Sequence, residues 1–180
     1  MKNTFLIIAL VVSLVSCEKK ATPTKEFKTA YVDTSKLIQE ANEAKDIKAK
    51  YEAKAEEMGA KLKAETQKFQ SEASNFKANV QKNGPEWAQQ KGAELQKTEQ
   101  RLQYAQDAMM RQLQNESGTE MDSLVSKIKK SLKVYGKEKG YDYIYGTGDA
   151  TSVLYAKDSY DLTKELIQLT NSNYKKPSSK

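Results

Sequence analysis

The chain has 180 residues, with 30 Lys and Arg against 24 Asp and Glu, which gives a net charge of +6. It contains no histidine and one cysteine, Cys17, so imidazole-dependent catalysis, the usual zinc and haem ligand sets and an intrachain disulfide are excluded. We expect no enzyme, cofactor or metal site; a site built from carboxylates alone stays open, although the acidic residues are scattered over predicted helix faces, as solvated residues are.

The first 17 residues predict a lipoprotein signal peptide. Lys2 supplies the positive start, and residues 5–15 form an apolar stretch too short to span a membrane. Leu14-Val15-Ser16-Cys17 resembles the bacterial lipobox, in which the cysteine is lipid-modified and becomes the first residue after cleavage. An ordinary secretory peptide with an incidental cysteine is the alternative. We expect a lipid-anchored chain in the periplasm, and Glu18, in place of the aspartate that marks inner-membrane retention in some bacteria, favours the outer membrane. Residues 18–27 are expected to form a flexible tether.

Residues 28–35 predict the start of a small α/β body, followed by a long helix. Thr29-Ala30-Tyr31-Val32-Asp33 predicts a strand, and Asp33 or Ser35 can cap a helix that begins near Lys36. Apolar residues then recur in alternating steps of four and three, which is coiled-coil spacing, with a stutter of eleven residues between Ala55 and Thr66. The expected seam consists of Leu37, Ala41, Ala44, Tyr51, Ala55, Met58, Leu62, Thr66, Phe69, Ala73, Phe76 and Val80.

Asn83-Gly84-Pro85 is the one break between two helical patterns that could reverse the chain, because glycine permits a left-handed cap and proline fits a first helical turn. Residues 36–139 therefore predict an antiparallel coiled-coil hairpin with its tip near 83–85 and arms about 70 Å long. Paired residues should lie equally far from Gly84, with Leu62 near Gln106 and Asp33 near Tyr135. The second seam changes from a seven-residue to an eleven-residue repeat and consists of Ala88, Leu95, Leu102, Met109, Leu113, Leu124 and Tyr135.

Residues 140–170 predict the rest of the body. Gly140 ends the second arm, residues 141–145 and 152–156 predict two further strands, Asp158 or Asp161 opens a short amphipathic helix, and residues 171–180 form a tail. The fold class is α+β and mostly helical, with a long hairpin projecting from a small β-rich body. Such a body buries little apolar area, so we expect several copies of the chain to share one core, with the tyrosines of 141–145 on one strand face. The residues expected in this shared body are Tyr31, Val32, Tyr143, Ile144, Val153 and Leu154.

A basic patch lies near the root of the second arm, where residues 127–139 contain six lysines and one acid, Glu138. The patch could steer an acidic partner, a lipid headgroup surface or lipopolysaccharide, or it could be a solvated helix face. Nucleic acid is not expected as a partner, because an exported protein rarely meets it. The patch consists of Lys127, Lys129, Lys130, Lys133, Lys137 and Lys139.

The order of these parts resembles the OmpH/Skp family of periplasmic chaperones over residues 28–169. The matching segments are Thr29–Asp33 before a long helix, Lys139–Tyr145, Val153–Ala156 and Asp161–Ile167. The resemblance implies a trimer in which a shared β-body carries three hairpins that enclose a cavity, and an ATP-independent holdase for unfolded outer-membrane or exported proteins. A lipid anchor departs from the family, whose members are commonly soluble after export, and the charge excess is milder.

Holding unfolded clients requires many weak contacts at once. We expect these contacts from aromatic and methionine side chains, which adapt to varied partners: Phe69, Phe76, Trp87, Met109 and Met110. Phe69, Phe76 and Met109 lie on the seams and could instead pack the arms together, whereas Trp87 and Met110 lie beside them. The thin seam also predicts arms that flex. The alternative function is a structural or adaptor envelope lipoprotein without chaperone activity.

Overall fold

The computed structural model of the protein describes residues 26–148 and 153–176. The predicted signal peptide with its lipobox Cys17, residues 18–25 of the tether and residues 177–180 of the tail lie outside the described residues. The predicted fold class is confirmed, since the chain is a mostly helical α+β protein with two long helices that form a hairpin. Its elements are β1 (Thr29–Asp33), α1 (Thr34–Glu40), α2 (Asn42–Asn83), α3 (Pro85–Glu138), β2 (Tyr143–Thr147), a 3-10 turn (Asp158–Tyr160) and α4 (Thr163–Asn173).

The arms of the hairpin are α2 and α3, and the chain reverses between them at Gly84. This residue adopts a positive φ of 85°, which glycine tolerates, and its N–H donates to the carbonyl of Val80 over 3.0 Å. Pro85 begins α3, where its missing N–H costs nothing. Ion pairs between the arms, such as Lys50 with Glu120, join residues at nearly equal separations from Gly84, as the predicted register requires.

The first arm is not one continuous helix from Lys36, as the seam predicted, because the helix breaks at Ala41. Asp33 caps α1 as expected, since its carboxylate accepts from the N–H of Lys36 over 2.9 Å. Ala41 itself is fully buried and has an extended backbone, with φ −66° and ψ 126°. The short helix α1 therefore belongs to the body, and the arm proper begins at Asn42.

The two strands pair in parallel, with Thr29 opposite Tyr143 and Asp33 opposite Thr147, and the whole hairpin forms the crossover between them. The second strand begins two residues later than the predicted 141–145. The reason is the end of α3, where Gly140 has a φ of 69°, its N–H donates to the carbonyl of Lys137, and the N–H of Tyr141 donates to Gly136. This is a Schellman motif, which occupies the residue that was predicted to start the strand.

The predicted strand at 152–156 is wrong for the residues that are described. Val153–Ala156 form no strand, and Ser152 lies outside the described residues. The apolar alternation of this segment becomes a strand only if a neighbouring strand pairs with it, and the described part of one chain provides no such neighbour. Leu154 and Tyr155 are 94% and 83% exposed as a result.

The hydrophobic core lies at the root of the hairpin, where α4 and β1 pack against α1 and the ends of both arms. Asp161 contributes to the start of α4, because its carboxylate accepts from the N–H of Thr163 over 2.8 Å. The helix continues to Asn173, so three residues assigned to the tail from sequence are helical. The largest fully buried side chains of the core are Val32, Leu37, Leu124 and Leu166.

Candidate functional site

The two arms pack tightly only near the body. At the root, Ile47 and Tyr51 of α2 and Leu124 and Ile128 of α3 are buried. Farther out, the seam residues are half-exposed, and Leu102 is the one buried residue of the described chain between Tyr51 and Leu124. The distal arms therefore keep much of their apolar surface in contact with solvent, because a two-helix hairpin can cover only one stripe of each helix.

Ion pairs between the arms run along the whole hairpin. Their side chains are mostly a fifth to three-fifths exposed, so each pair adds little stability, and their main effect is to hold the two helices in register. Lys127 with Glu43, at 2.6 Å, is the pair nearest the body, and Lys91 with Glu72, at 2.7 Å, is the pair nearest the tip. The pairs between these two are Lys50 with Glu120, Lys54 with Glu116, and Arg101 with Glu65.

The residues expected to contact clients fall into three groups. Phe76 and Trp87 stack on each other across the arms near the tip, with ring centroids 5.8 Å apart and planes 24° apart. Phe69 and Met109 lie half-buried on the seam, at separate places along it. Met110 is 59% exposed on the outer surface. The five residues thus form no single patch; they are spread along the arms.

Tyr104 was not singled out by the sequence analysis, yet it is 71% exposed on α3. It lies two residues after the buried Leu102, and helical geometry therefore places it about 200° around the helix from that residue, opposite the seam. The apolar repeat places Tyr104 away from the seam, and this position alone predicts an exposed aromatic side chain. Together with Met110, it gives the second arm two apolar side chains that the other arm does not cover.

The body also exposes apolar groups. Tyr143 is 52% exposed and stacks on Tyr145, with ring centroids 5.9 Å apart, and Phe27 contacts Tyr143 edge to face at 5.9 Å. Tyr141 does not share this face as predicted, because it is half-buried and stacks on Tyr135 in the core, with centroids 6.1 Å apart. Within the described residues, β2 hydrogen-bonds along one side only, to β1.

The six residues expected in a shared body divide between core and surface. Val32 is buried inside the single chain, and Ile144 is partly buried against the same core, so Val32 offers no surface to another copy and Ile144 offers only part of its side chain. Tyr31 is half-buried, and its carbonyl accepts from the N–H of Leu162 over 2.9 Å. Tyr143 and Leu154 are exposed, and Val153 is half-exposed.

The basic patch is largely open to solvent. Lys127 pairs with Glu43, and the ammonium group of Lys139 lies 5.9 Å from the ring centroid of Tyr135. The other four lysines, which form no ion pair with any described residue, are Lys129, Lys130, Lys133 and Lys137. Because the ring contact of Lys139 does not neutralise its charge, five of the six lysines have no ion-pair partner among the described residues, and such a cluster attracts anionic partners at low ionic strength.

Titratable groups at the root are held in one protonation state. Hydrogen bonds from Lys50 and then Tyr51 lower the pKa of Glu120, so it is ionised at neutral pH. Burial, followed by a hydrogen bond to Glu165, raises the pKa of Tyr135 to about 12, so it is neutral.

No cluster of described residues has three side chains that could bind a metal ion, and no described helix is long and apolar enough to cross a membrane.

The chain matches the family described as OmpH: Outer membrane protein (OmpH-like), over residues 28–169. Among solved structures, it is similar to the crystal structure of a candidate outer membrane chaperone, OmpH-like, from Caulobacter crescentus CB15. The two chains share 12% sequence identity, the match covers 86% of this chain and 89% of that one, and the TM-score is 0.77, so the likeness is one of fold. No curated protein matches the chain.

Proposed function

The chain belongs to the OmpH-like family, a family of periplasmic chaperones, and we propose that it is an ATP-independent holdase that binds unfolded outer-membrane or other exported proteins between its arms. The observation that carries this proposal is the unequal packing of the hairpin. Its root is packed against the body, whereas its distal part leaves half-exposed aromatic and methionine side chains along a long pair of helices. Arms of this kind are suited to binding clients, because many of their apolar side chains are not buried between the two helices and remain available for contact.

Weak contacts spread along the arms fit an unfolded client better than one deep pocket does. An unfolded chain presents short apolar segments at irregular spacing, and a binder with several separate apolar contacts can engage some of them in many arrangements. Phe69, Met109 and Met110 provide such contacts at intervals, and Tyr104 adds one more. The charged residues between them keep the arms soluble when no client is bound.

We propose that three copies assemble through the body. Leu154 and Tyr155 project almost fully into solvent in the single chain, and the described β2 has one unpaired edge beside the stacked Tyr143 and Tyr145. A monomer rarely leaves an apolar cluster and an open strand edge together, because both promote association. The segment 153–156, which forms no strand in one chain, could become one by pairing with the body of a neighbouring copy. Three hairpins on one shared body would then enclose a cavity.

We further propose that lipid on Cys17 anchors the chaperone in the periplasm at the outer membrane. The described chain enters the body at Lys28, whose N–H donates to the carboxylate of Asp142 over 2.9 Å and whose ammonium group donates to the carbonyl of Lys139 over 2.7 Å. The tether therefore ends beside the basic patch. An anchor at Cys17 would keep these lysines near anionic lipid headgroups, which attract them.

Light scattering during dilution of an unfolded β-barrel protein from urea tests the function. In the absence of nucleotide, residues 18–180 should suppress the rise in scattering, and the suppression should saturate at a fixed ratio of chaperone to client. The same chain heated past its melting transition serves as the control, because it contains the same residues without the fold. Scattering that rises equally with and without the folded chain would overturn the holdase proposal and favour an adaptor lipoprotein.

A further inference from the structure

The break between α1 and α2 has no local cause in the sequence. Glu40, Ala41 and Asn42 include neither proline nor glycine, and alanine and glutamate favour helix. At such a break, the carbonyl of Glu40 and the N–H of Asn42 lose the partners that they would have in a continuous helix. Sharp bends without proline or glycine arise where another group inserts into the hydrogen-bond ladder of the helix.

Asn171 of α4 is the inserted group. Its side-chain oxygen accepts from the N–H of Asn42 over 2.7 Å, and its side-chain nitrogen donates to the carbonyl of Glu40 over 3.2 Å. One amide group thus satisfies two of the backbone groups that the break leaves open, one on each side of Ala41. Asn171 lies 129 residues from Asn42 in sequence, so this contact couples the last helix of the chain to the first turn of the arm.

Two further side chains from the end of the chain bind the same arm just beyond the break. The hydroxyl of Tyr174 donates to Asp46 over 3.1 Å, and the ammonium group of Lys176 donates to the other oxygen of that carboxylate, also over 3.1 Å. We call Asn171, Tyr174 and Lys176 the C-terminal strap. Lys176 is mostly exposed and contributes little by itself, so the half-buried Tyr174 and Asn171 provide most of the attachment.

We propose that Asn171 is a positioning residue, which holds the bend at Ala41 and thereby sets the angle at which the arm leaves the body. The arm helix α2 has 42 residues, so at 1.5 Å per residue it extends about 60 Å beyond the break. A change of about ten degrees at Ala41 therefore moves the tip by roughly 10 Å. If the arms enclose clients, which is the proposed function on which this consequence rests, Asn171 controls how wide the cavity between them is.

The packing behind the strap leaves room for the arm to move. A cleft of about 350 Å³ lies between the end of α4 and the root of the arms, with Leu124 and Ile128 on its walls. Thr170, the neighbour of Asn171, also lines it, and the buried hydroxyl of Thr170 has no hydrogen-bond partner among the described residues. An incompletely packed contact of this kind costs less to rearrange than a close-packed one.

Distances between spin labels test the positioning role of Asn171 without any client. Residues 18–180 contain no cysteine, so cysteines introduced at the exposed positions Gln89, near the tip, and Lys164, in the body, are labelled specifically. Labelled chains are mixed with an excess of unlabelled chains, so that distances between copies do not contribute. Asn171→Ala should broaden the distance distribution and shift it by about 2 Å for each ten degrees of swing, because the swing is mostly sideways to the line between the labels and Lys164 lies only about 10 Å along α4 from Asn171. Asn173→Ala, the same substitution at the exposed end of the same helix, should leave it unchanged.

A second variant tests the two hydrogen bonds separately. Asn171→Asp keeps an acceptor for the N–H of Asn42 but loses the donor to Glu40, so its shift should be smaller than that of Asn171→Ala. Circular dichroism confirms that each variant is folded, and Asn171→Asp is measured alone if Asn171→Ala does not fold. If the folded variants give the same distance distribution as the wild type, the proposal that Asn171 holds the bend at Ala41 is overturned. A shifted distance distribution with unchanged capture of small and large clients would confirm that Asn171 sets the angle of the arm and would overturn its control of cavity width.

Discussion

The hydroxyl of Tyr51 donates to the carboxylate of Glu120 over 2.9 Å, and this contact marks the boundary between two parts of the hairpin. On the body side of it, the arms share a continuous core with α1 and α4. On the tip side, the arms touch along a half-exposed seam. The hairpin is thus a fixed root that carries a loosely packed extension.

The rate of backbone amide hydrogen exchange should differ on the two sides of the contact between Tyr51 and Glu120. We expect backbone amides of residues 56–110 to exchange faster than those around Leu37, Leu124 and Leu166, because the distal arms bury few apolar groups and open locally at low cost. Exchange monitored by mass spectrometry with peptide resolution measures the difference. Equal protection of the distal arms and the body would contradict the predicted flexing of the arms.

Acidic pH should weaken the root of the hairpin through Glu120. Hydrogen bonds from Lys50 and Tyr51 lower its pKa in the folded chain, so the carboxylate stabilises the fold above its unfolded pKa, and this stabilisation is lost as the pH falls through the lowered value. Thermal melting at neutral pH and at about pH 3 should therefore show a larger loss in the wild type than in Glu120→Gln. An equal loss in the two proteins would show that Glu120 does not contribute.

Leu124 should be among the most sensitive core positions. It is 1% exposed and packs in the cluster that joins the arms to the body. Leu124→Ala removes buried apolar volume and should lower the free energy of unfolding by about 2–5 kcal/mol. Val134→Ala, on the same helix but mostly exposed, should change it by about 0.5 kcal/mol or less. Urea unfolding measures both, and similar values would argue against a core at this position.

Exposed apolar residues on the second arm should contribute to client capture but not to stability. Tyr104→Ser and Met110→Ser together should reduce the suppression of client aggregation several-fold, because they remove two contacts that the fold does not use. The melting temperature should stay within a few degrees of the wild type. Gln103→Ser, at an exposed polar position on the same helix, is the matched control. Full capture by the double variant would remove these residues from the proposed contact surface.

Local signals account for the parts of the fold that the sequence predicted well. The heptad spacing of the arms, glycine and proline at the tip, and the cap at Asp33 each depend on residues close together in the chain. The break at Ala41 could not be found in this way, because its cause is Asn171, far away in sequence and assigned to a tail. Parallel pairing of β1 with β2 likewise depends on where the hairpin returns the chain.

The candidate contact surface also combines features that local sequence predicts with features that depend on contacts between residues far apart in the chain. Phe69 and Met109 were placed on the seam from their spacing, whereas the stacking of Phe76 on Trp87 joins two helices and becomes visible only in three dimensions. The exposure of Tyr104 is predictable from sequence, since the seven-residue repeat places it on the helix face opposite the buried Leu102. The segment 152–156 was predicted as a strand from alternation alone, without a partner for its hydrogen bonds, and its described residues 153–156 form none.

Native mass spectrometry of residues 18–180, mixed with an unfolded β-barrel client in the absence of nucleotide, tests the central claim most directly. The account predicts a complex whose mass equals three copies of the chain and one client. Free chain and free client as the two detected species, with no complex between them at any mixing ratio, would contradict it.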